Sequence, residues 1–400
     1  MSPSVPPGDD APRDGGLPPT VRAGAEDRGF SVYVHVPYCA TRCGYCDFNT
    51  YVAGELGAAS GSADYLAGLQ AEFALAGRVL ADSGLPQRPV STIFVGGGTP
   101  TLLSSATLGG VLGRLRDTFD LSPDAEVTTE ANPDSVTPQS LQGLADAGFT
   151  RVSFGMQSAV PHVLATLDRT HDPERIGDVV AWARAAGLQV SLDLIYGTPG
   201  ESQRDWQASV DAAISHAPDH ISAYALTIEP GTRMHAQVRR GELPDVEADD
   251  QADKYELADN ALTTAGYGWY EISNWATEPA TRCRHNLAYW HGDDWWGFGP
   301  GAHSHVGGVR WWNVKHPHRY AEVMGLGRSP AAAREVLTPE QRRFERDMLA
   351  IRLADGFGAS ADRMADLVGD GLVATREPGR FVLTRTGRLL ADRVTAALTA

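Results

Sequence analysis

The stretch "FSVYVHVPYCATRCGYCDF", residues 30–48, sets the frame for the whole chain. Its first half alternates Val32, Val34 and Val36 with Tyr33 and His35, the period of a β-strand. Its second half places Cys39, Cys43 and Cys46 on the loop that follows, and the chain has only one further cysteine, Cys283. Four cysteines in 400 residues do not form a disulfide framework, so a cluster this tight points to metal binding or catalysis. Three thiolates from one loop suit a site with one open coordination position, such as a 4Fe-4S cluster. A structural zinc needs a fourth ligand, for which His35 is the local candidate, and inert thiols are the remaining alternative.

From this strand the pattern repeats outward. The runs "STIFVGGG", "AEVTTEANP", "RVSFGMQS", "LQVSLDLIYGTPG" and "HISAYALTIEPG" read as further strands, and helical periodicity fills the segments between them. About six strand-helix repeats predict a parallel α/β sheet, open or closed as a barrel. Gly, Glu, Gln, Arg and Asp follow the apolar runs, where barrel enzymes place their active sites. "VGGGTPT", residues 95–101, adds a glycine turn whose backbone approaches a ligand closely and offers N–H groups to an anion.

The flanks read differently. Residues 1–28 are rich in Pro, Gly and Asp with few large apolar side chains, and are expected to form a disordered tail. The repeats occupy 29–245, and 246–333 is expected to be a linking region rich in aromatic residues. Residues 334–400 read as helix, helix, hairpin, helix, a winged-helix-like module. Its charges are nearly balanced and it has no basic recognition helix. The whole chain carries a net charge of −16, which repels a phosphate backbone, so nucleic acid is not an expected partner. No run of about 20 apolar residues and no secretory signal are present, so a soluble cytoplasmic protein without a transmembrane segment is expected.

The C-x3-C-x2-C spacing after a first strand resembles the cluster loop of radical SAM enzymes. That resemblance implies a partial (β/α)6 TIM-type barrel, a 4Fe-4S cluster on Cys39, Cys43 and Cys46, and S-adenosyl-L-methionine (SAM) on its open iron. It further places Tyr45 near the adenine, Tyr33 near the sulfonium, and Gly97, Gly98 and Thr99 at the methionyl amino group. Glu130 in "TEANP", Gln157 in "SFGMQS", Arg169 in "LDRTH" and Asp193 in "LDLIYGTPG" match the SAM contacts of one branch, the anaerobic coproporphyrinogen oxidases and their relatives. Glu130 would hold the ribose hydroxyls, with Gln157, Arg169 and Asp193 on the carboxylate and ribose side. Asp168 stands where relatives commonly have Gly, which puts the local turn in question.

Within that branch the oxidases carry a fourth cysteine two residues after the third, where this chain has Asp47-Phe48. "CDF", "HNLAYW" (285–290) and "YEISNWA" (270–276) resemble instead the HemW group, oxidase-like radical SAM proteins that act as heme chaperones. The resemblance implies bound heme as cargo and acceptor hemoproteins as partners, and leaves a homodimer open. His285 is the expected axial ligand, since neutral imidazole coordinates heme iron, with Cys283, His291, His303 and His305 as rivals. Trp290, Trp295, Trp296, Trp311 and Trp312 are expected to offer apolar faces to the macrocycle. The alternatives are an oxygen-independent coproporphyrinogen III oxidase and a zinc-dependent binding module.

Overall fold

In the computed structural model, which describes residues 8–55 and 62–399, the expected alternation is present. The main strands are β1 (Phe30–Val36), β2 (Val90–Gly97), β3 (Leu121–Ala131), β4 (Arg151–Gln157), β5 (Gln189–Tyr196) and β6 (His220–Ala225). Each pairs in parallel with the next. Between them run α1 (Ser62–Asp82), α2 (Ser105–Thr118), α3 (Pro138–Ala147), α4 (Arg175–Ala185) and α5 (Gln203–Ser215). Strands such as β1 are buried on both faces because helices cover one side and barrel interior the other. The helix starts follow local chemistry. Thr137 and Ser202 close capping boxes on α3 and α5, and Gly148 ends α3 at φ 98°, a left-handed turn that glycine adopts freely.

The aromatic segment departs from the expected linking region, because it builds both edges of the same sheet. After α6 (Ala248–Thr264), β7 (Gly268–Glu271) and β8 (Asn274–Ala276) form an antiparallel pair, and β8 joins it antiparallel to β6. Past α7 (Arg284–His291), β9 (Asp294–Phe298) returns to the opposite edge and pairs in parallel with β1, so seven strands run parallel. β10 (His303–Val306), β11 (Val309–Asn313) and, after α8 (Pro317–Gly325), β12 (Ala331–Val336) extend it antiparallel. The twelve-stranded sheet has the order β12-β11-β10-β9-β1-β2-β3-β4-β5-β6-β8-β7, an incomplete barrel whose two edge strands are β12 and β7. Trp296, Trp311 and Trp312 are buried as core, with Trp296 and Trp311 edge to face at 4.7 Å, so they offer no face to a ligand. Apolar alternation in "DWWGF" and "VRWWN" is a strand signal, and burial in the sheet absorbs it.

The disordered-tail expectation also fails over 8–28, while residues 1–7 lie outside the described part. Asp9 exchanges backbone hydrogen bonds with Arg334 on the edge strand β12, at 2.8 and 2.9 Å. Val21 and Ala25 are fully buried, and Arg22 donates to the Ser83 carbonyl at 2.7 Å. Pairing with an existing sheet edge supplies the ordering that composition alone does not predict.

At the C-terminus, α9 (Pro339–Ala350), α10 (Ala361–Gly369), the hairpin β13 (Val373–Glu377) and β14 (Arg380–Leu383), and two short helices follow the expected order. Ile351, Phe357, Met364, Phe381, Leu383 and Val394 form a separate small core. This module docks on the β7 edge, where Arg385 and Arg388 reach the buried carboxylate of Asp259 at 2.6 and 3.0 Å. It contributes no residue to the barrel cavity. Among the described residues no helix is long and apolar enough to cross a membrane.

Candidate functional site

The C-terminal ends of β1 to β6 surround a cavity of about 730 Å³, the size of a ligand pocket. The three cluster cysteines, the nine SAM candidates and His285 all line it: Tyr33, Cys39, Cys43, Tyr45, Cys46, Gly97, Gly98, Thr99, Glu130, Gln157, Arg169, Asp193 and His285.

The cysteine loop is held by its backbone. Gly44 donates to the Leu167 carbonyl at 3.3 Å and accepts from Met234 N–H at 2.9 Å, and a turn bond joins Cys46 N–H to Cys43 at 3.2 Å. The three thiols form no disulfide, and burial pushes the Cys46 thiol up to about 12 and that of Cys39 upward. A soft metal must therefore displace protons here, which thiolate affinity for iron readily drives. His35 is no fourth ligand: its ring nitrogens are engaged by Tyr33 Oη at 3.0 Å and the Asn49 carbonyl at 2.9 Å. Three sulfurs without a fourth donor fit a 4Fe-4S cluster with an open iron better than tetrahedral zinc.

The glycine turn after β2 lies directly against this loop. Gly98 N–H bonds to the Val36 carbonyl and Thr99 N–H to Tyr38. A Cβ on Gly98 would stand 2.3 Å from the Tyr38 carbonyl oxygen and 3.0 Å from Cys39 Sγ. Gly98→Ala should consequently push the two loops apart, with a several-fold loss of iron in the reconstituted protein and a stability cost of about 1–3 kcal/mol. Iron analysis beside calorimetry checks this, and normal iron retention would refute the role given to the close approach.

Around the rim, buried polar groups point inward with part of their bonding capacity unused. Glu130 accepts from Gly97 N–H at 2.8 Å, and burial pushes its carboxyl up to about 8. Asp193 accepts from Ser153 Oγ at 2.8 Å and is likewise raised by burial. Arg169 donates to the Gly155 carbonyl at 2.8 Å and sets Nη1 3.6 Å from Cys43 Sγ, while its buried Nε has no partner. Gln157 sits at φ 61°, a left-handed conformation unusual for this residue type and of the kind found at ligand sites. A polyfunctional ligand such as SAM would answer these donors and acceptors together. The turn in question at Asp168 is kept: it adopts φ 55°, which Asp tolerates, and pairs with Arg233 at 3.1 Å.

His285 departs from expectation. It is buried on the cavity floor, stacked on Phe94 at 5.1 Å, with Nδ1 2.7 Å from Thr92 Oγ1 and Nε2 2.9 Å from Tyr289 Oη. Burial holds its pKa down at about 3, so it is neutral, yet neither nitrogen is offered to an iron atom. Its motif secures the floor instead, since Glu126 accepts the N–H groups of both Arg284 and His285 at 3.1 Å. Sequence reasoning missed Ser153, which braces Asp193, although it lies two residues from Gly155 on the same face of β4. It also missed Asn49, whose amide ties the cysteine loop to the carbonyls of Pro300 and Lys315 at 2.9 and 2.8 Å. No sequence signal marks an asparagine that bridges two distant loops.

Residues 33–213 match the model of the Radical SAM superfamily. The chain is 49% identical over 376 residues to the heme chaperone HemW of Mycobacterium tuberculosis, covering 92% of this chain and 94% of the relative. It is 32% identical over 383 residues to that of Bacillus subtilis, covering 92% and 98%. The crystal structure of coproporphyrinogen III oxidase (HemN) from Escherichia coli, described as a radical SAM enzyme, superposes with a TM-score of 0.78 over 93% of this chain and 90% of that one. At 24% identity that likeness speaks for the fold alone. With the three-cysteine loop, the glycine turn and the rim carboxylates on one barrel mouth, and near-complete coverage of relatives at this identity, the chain belongs to the HemW family within the radical SAM superfamily.

Proposed function

We propose that this chain is a heme chaperone: it binds heme, holds a 4Fe-4S cluster and SAM in the barrel cavity, and hands the heme to acceptor hemoproteins in the cytoplasm. The observation that carries this reading is the 49% identity, over 92% of the chain, to a protein named as a heme chaperone. Cys39, Cys43 and Cys46 would hold the cluster. Gly97, Gly98 and Thr99 would meet the amino-acid end of SAM, with Glu130, Gln157, Arg169 and Asp193 along its ribose and carboxylate. When bound, the pair supplies one-electron chemistry that the protein orients and shields from water. The chain's own part is a set of preplaced donors and acceptors on rigid strand ends, which lowers the ordering cost of binding.

Anaerobic titration of the cluster-loaded protein with hemin tests the proposal. A Soret band saturating at one heme per chain, followed by transfer to an apo-hemoprotein, is the expected result. Absence of saturable binding together with turnover of coproporphyrinogen III would replace the chaperone reading with the oxidase one.

A further inference from the structure

A second cleft of about 380 Å³ opens beside the main cavity, on the outer side of the cysteine loop. Tyr33, Asp47, Phe48 and Tyr289 line both spaces, so a ligand in the cleft would lie against the cluster loop. His35 on β1 and Asn49 add to its walls, and the rest comes from the far edge of the sheet: Trp295 on β9, the turn at Gly301 and Ala302, His303 at the start of β10, and Lys315.

The cleft has the chemistry of a flat, largely apolar ligand with a metal at its centre. Phe48 is 57% exposed, the second most exposed of the large apolar side chains after Leu326 at 61%. It follows the third cysteine directly after Asp47. Trp295 lines the same cleft, edge to face with Tyr289 at 4.6 Å, and its indole N–H donates to the His303 carbonyl at 3.1 Å. The exposed Phe48 and the half-buried Trp295 would bury large area when a planar ring enters.

The histidine inventory selects one ligand. His35 and His285 have both ring nitrogens engaged. His305 has Nδ1 3.4 Å from the Asp293 carbonyl and accepts from Gly308 N–H at 3.2 Å through Nε2. The Cys283 thiol is buried and faces Glu126 at 3.7 Å. His291 is exposed but lines neither space. His303 is exposed and lines the cleft, and its ring lies 6.0 Å from that of Trp312 at 29°, a partner that fixes its plane without occupying its nitrogens. Partial burial, with Lys315 and Arg310 nearby, moves its pKa down, which keeps the imidazole neutral.

We propose that heme docks in this cleft, with His303 as its axial ligand and Phe48 and Trp295 against the macrocycle. The inference rests on the heme-binding reading and assigns that reading a place and a ligand. It also gives a physical role to the residue that replaces a fourth cysteine: an aromatic wall shared by the cluster loop and the cargo. The ligand bond is the ordinary imidazole-to-iron donation and needs no redox step.

The test uses the full-length, cluster-loaded protein and hemin under anaerobic conditions, comparing wild type with His303→Ala, His291→Ala and Phe48→Ser. Circular dichroism of each variant serves as the folding control. His303→Ala should bind at least about tenfold more weakly or lose the spectrum of a histidine-ligated heme, and free imidazole should restore that spectrum. Phe48→Ser should weaken binding while leaving the ligand spectrum intact, and His291→Ala should match wild type. A folded His303→Ala protein with wild-type affinity and spectrum would overturn the assignment while leaving the chaperone reading in place. Wild type that shows no saturable binding would overturn the chaperone reading itself.

Discussion

Cys46→Ser should leave the anaerobically reconstituted protein with iron and acid-labile sulfide near background, whereas Cys283→Ser should retain both. The loop supplies three thiols close together in sequence, and a cluster that already leaves one iron open has no spare ligand to lose. Serine keeps the shape of the side chain but offers a hard oxygen whose deprotonation is far costlier, so the soft iron sites lose their preferred donor. Cys283 stands on the cavity floor facing Glu126, away from the loop, and burial pushes its thiol above the usual range. It is therefore a poor substitute and a suitable control. Because burial also raises Cys39 and Cys46, cluster assembly must release protons and should become more favourable as pH rises. Metal and sulfide analysis with absorption near the cluster bands reads both variants. Full cluster content in Cys46→Ser would sink the ligand assignment.

How much of this was legible in the sequence depends on whether a residue acts locally or across the fold. Val32, Val34 and Val36, the cysteine spacing and the "VGGGTPT" turn are local patterns, and the structure puts them at one barrel mouth. Glu130, Gln157, Arg169 and Asp193 also reach that wall, because strand ends gather at one face once the alternation is parallel. The failures are all long-range. The tail over 8–28 is ordered by Arg334 and Ser83, partners hundreds or tens of residues away that composition does not announce. The tryptophans of 295–312 resembled a ligand box, but β9 pairs with β1 and three of them become core. His285 sits in a motif that invites metal ligation, yet Thr92 on β2 and Tyr289 on its own helix take both nitrogens. A one-dimensional pattern shows which side chains are chemically able and leaves open which are already spoken for.

The same limit hid Glu72, and its replacement should carry the largest stability cost of any single polar residue discussed here. It lies on α1 in "QAEFALAG", where a glutamate would ordinarily face water, but it is 1% exposed. Its carboxylate accepts from Gly299 N–H at 2.9 Å, Asn313 Nδ2 at 2.8 Å and Tyr320 Oη at 2.5 Å. One side chain thus joins α1 to the turn after β9, to β11 and to α8. Glu72→Ala removes the acceptor of the Gly299 N–H and Tyr320 hydroxyl, leaves Asn313 Nδ2 with the Gly299 carbonyl alone and opens a void, at an expected cost of about 3–5 kcal/mol. The turn it holds begins at Gly299 and runs into His303, so the second cleft should loosen with it. Burial pushes the Glu72 carboxyl up to about 7, against about 4.5 in the unfolded chain. Native protein keeps this proton while unfolded chain loses it between those values, so the stability contributed by Glu72 is full below about pH 4.5 and declines until about pH 7. The expected decline is on the order of 3 kcal/mol. Glu72→Gln cannot ionise and should lose that share of the slope, even though Glu130 and Glu271, both raised to about 8 by burial, still titrate. Urea denaturation of both proteins at pH 5 and pH 8 measures the difference directly. Equal losses of stability between the two pH values would mean that Glu72 is already ionised in the fold, held so by its three donors.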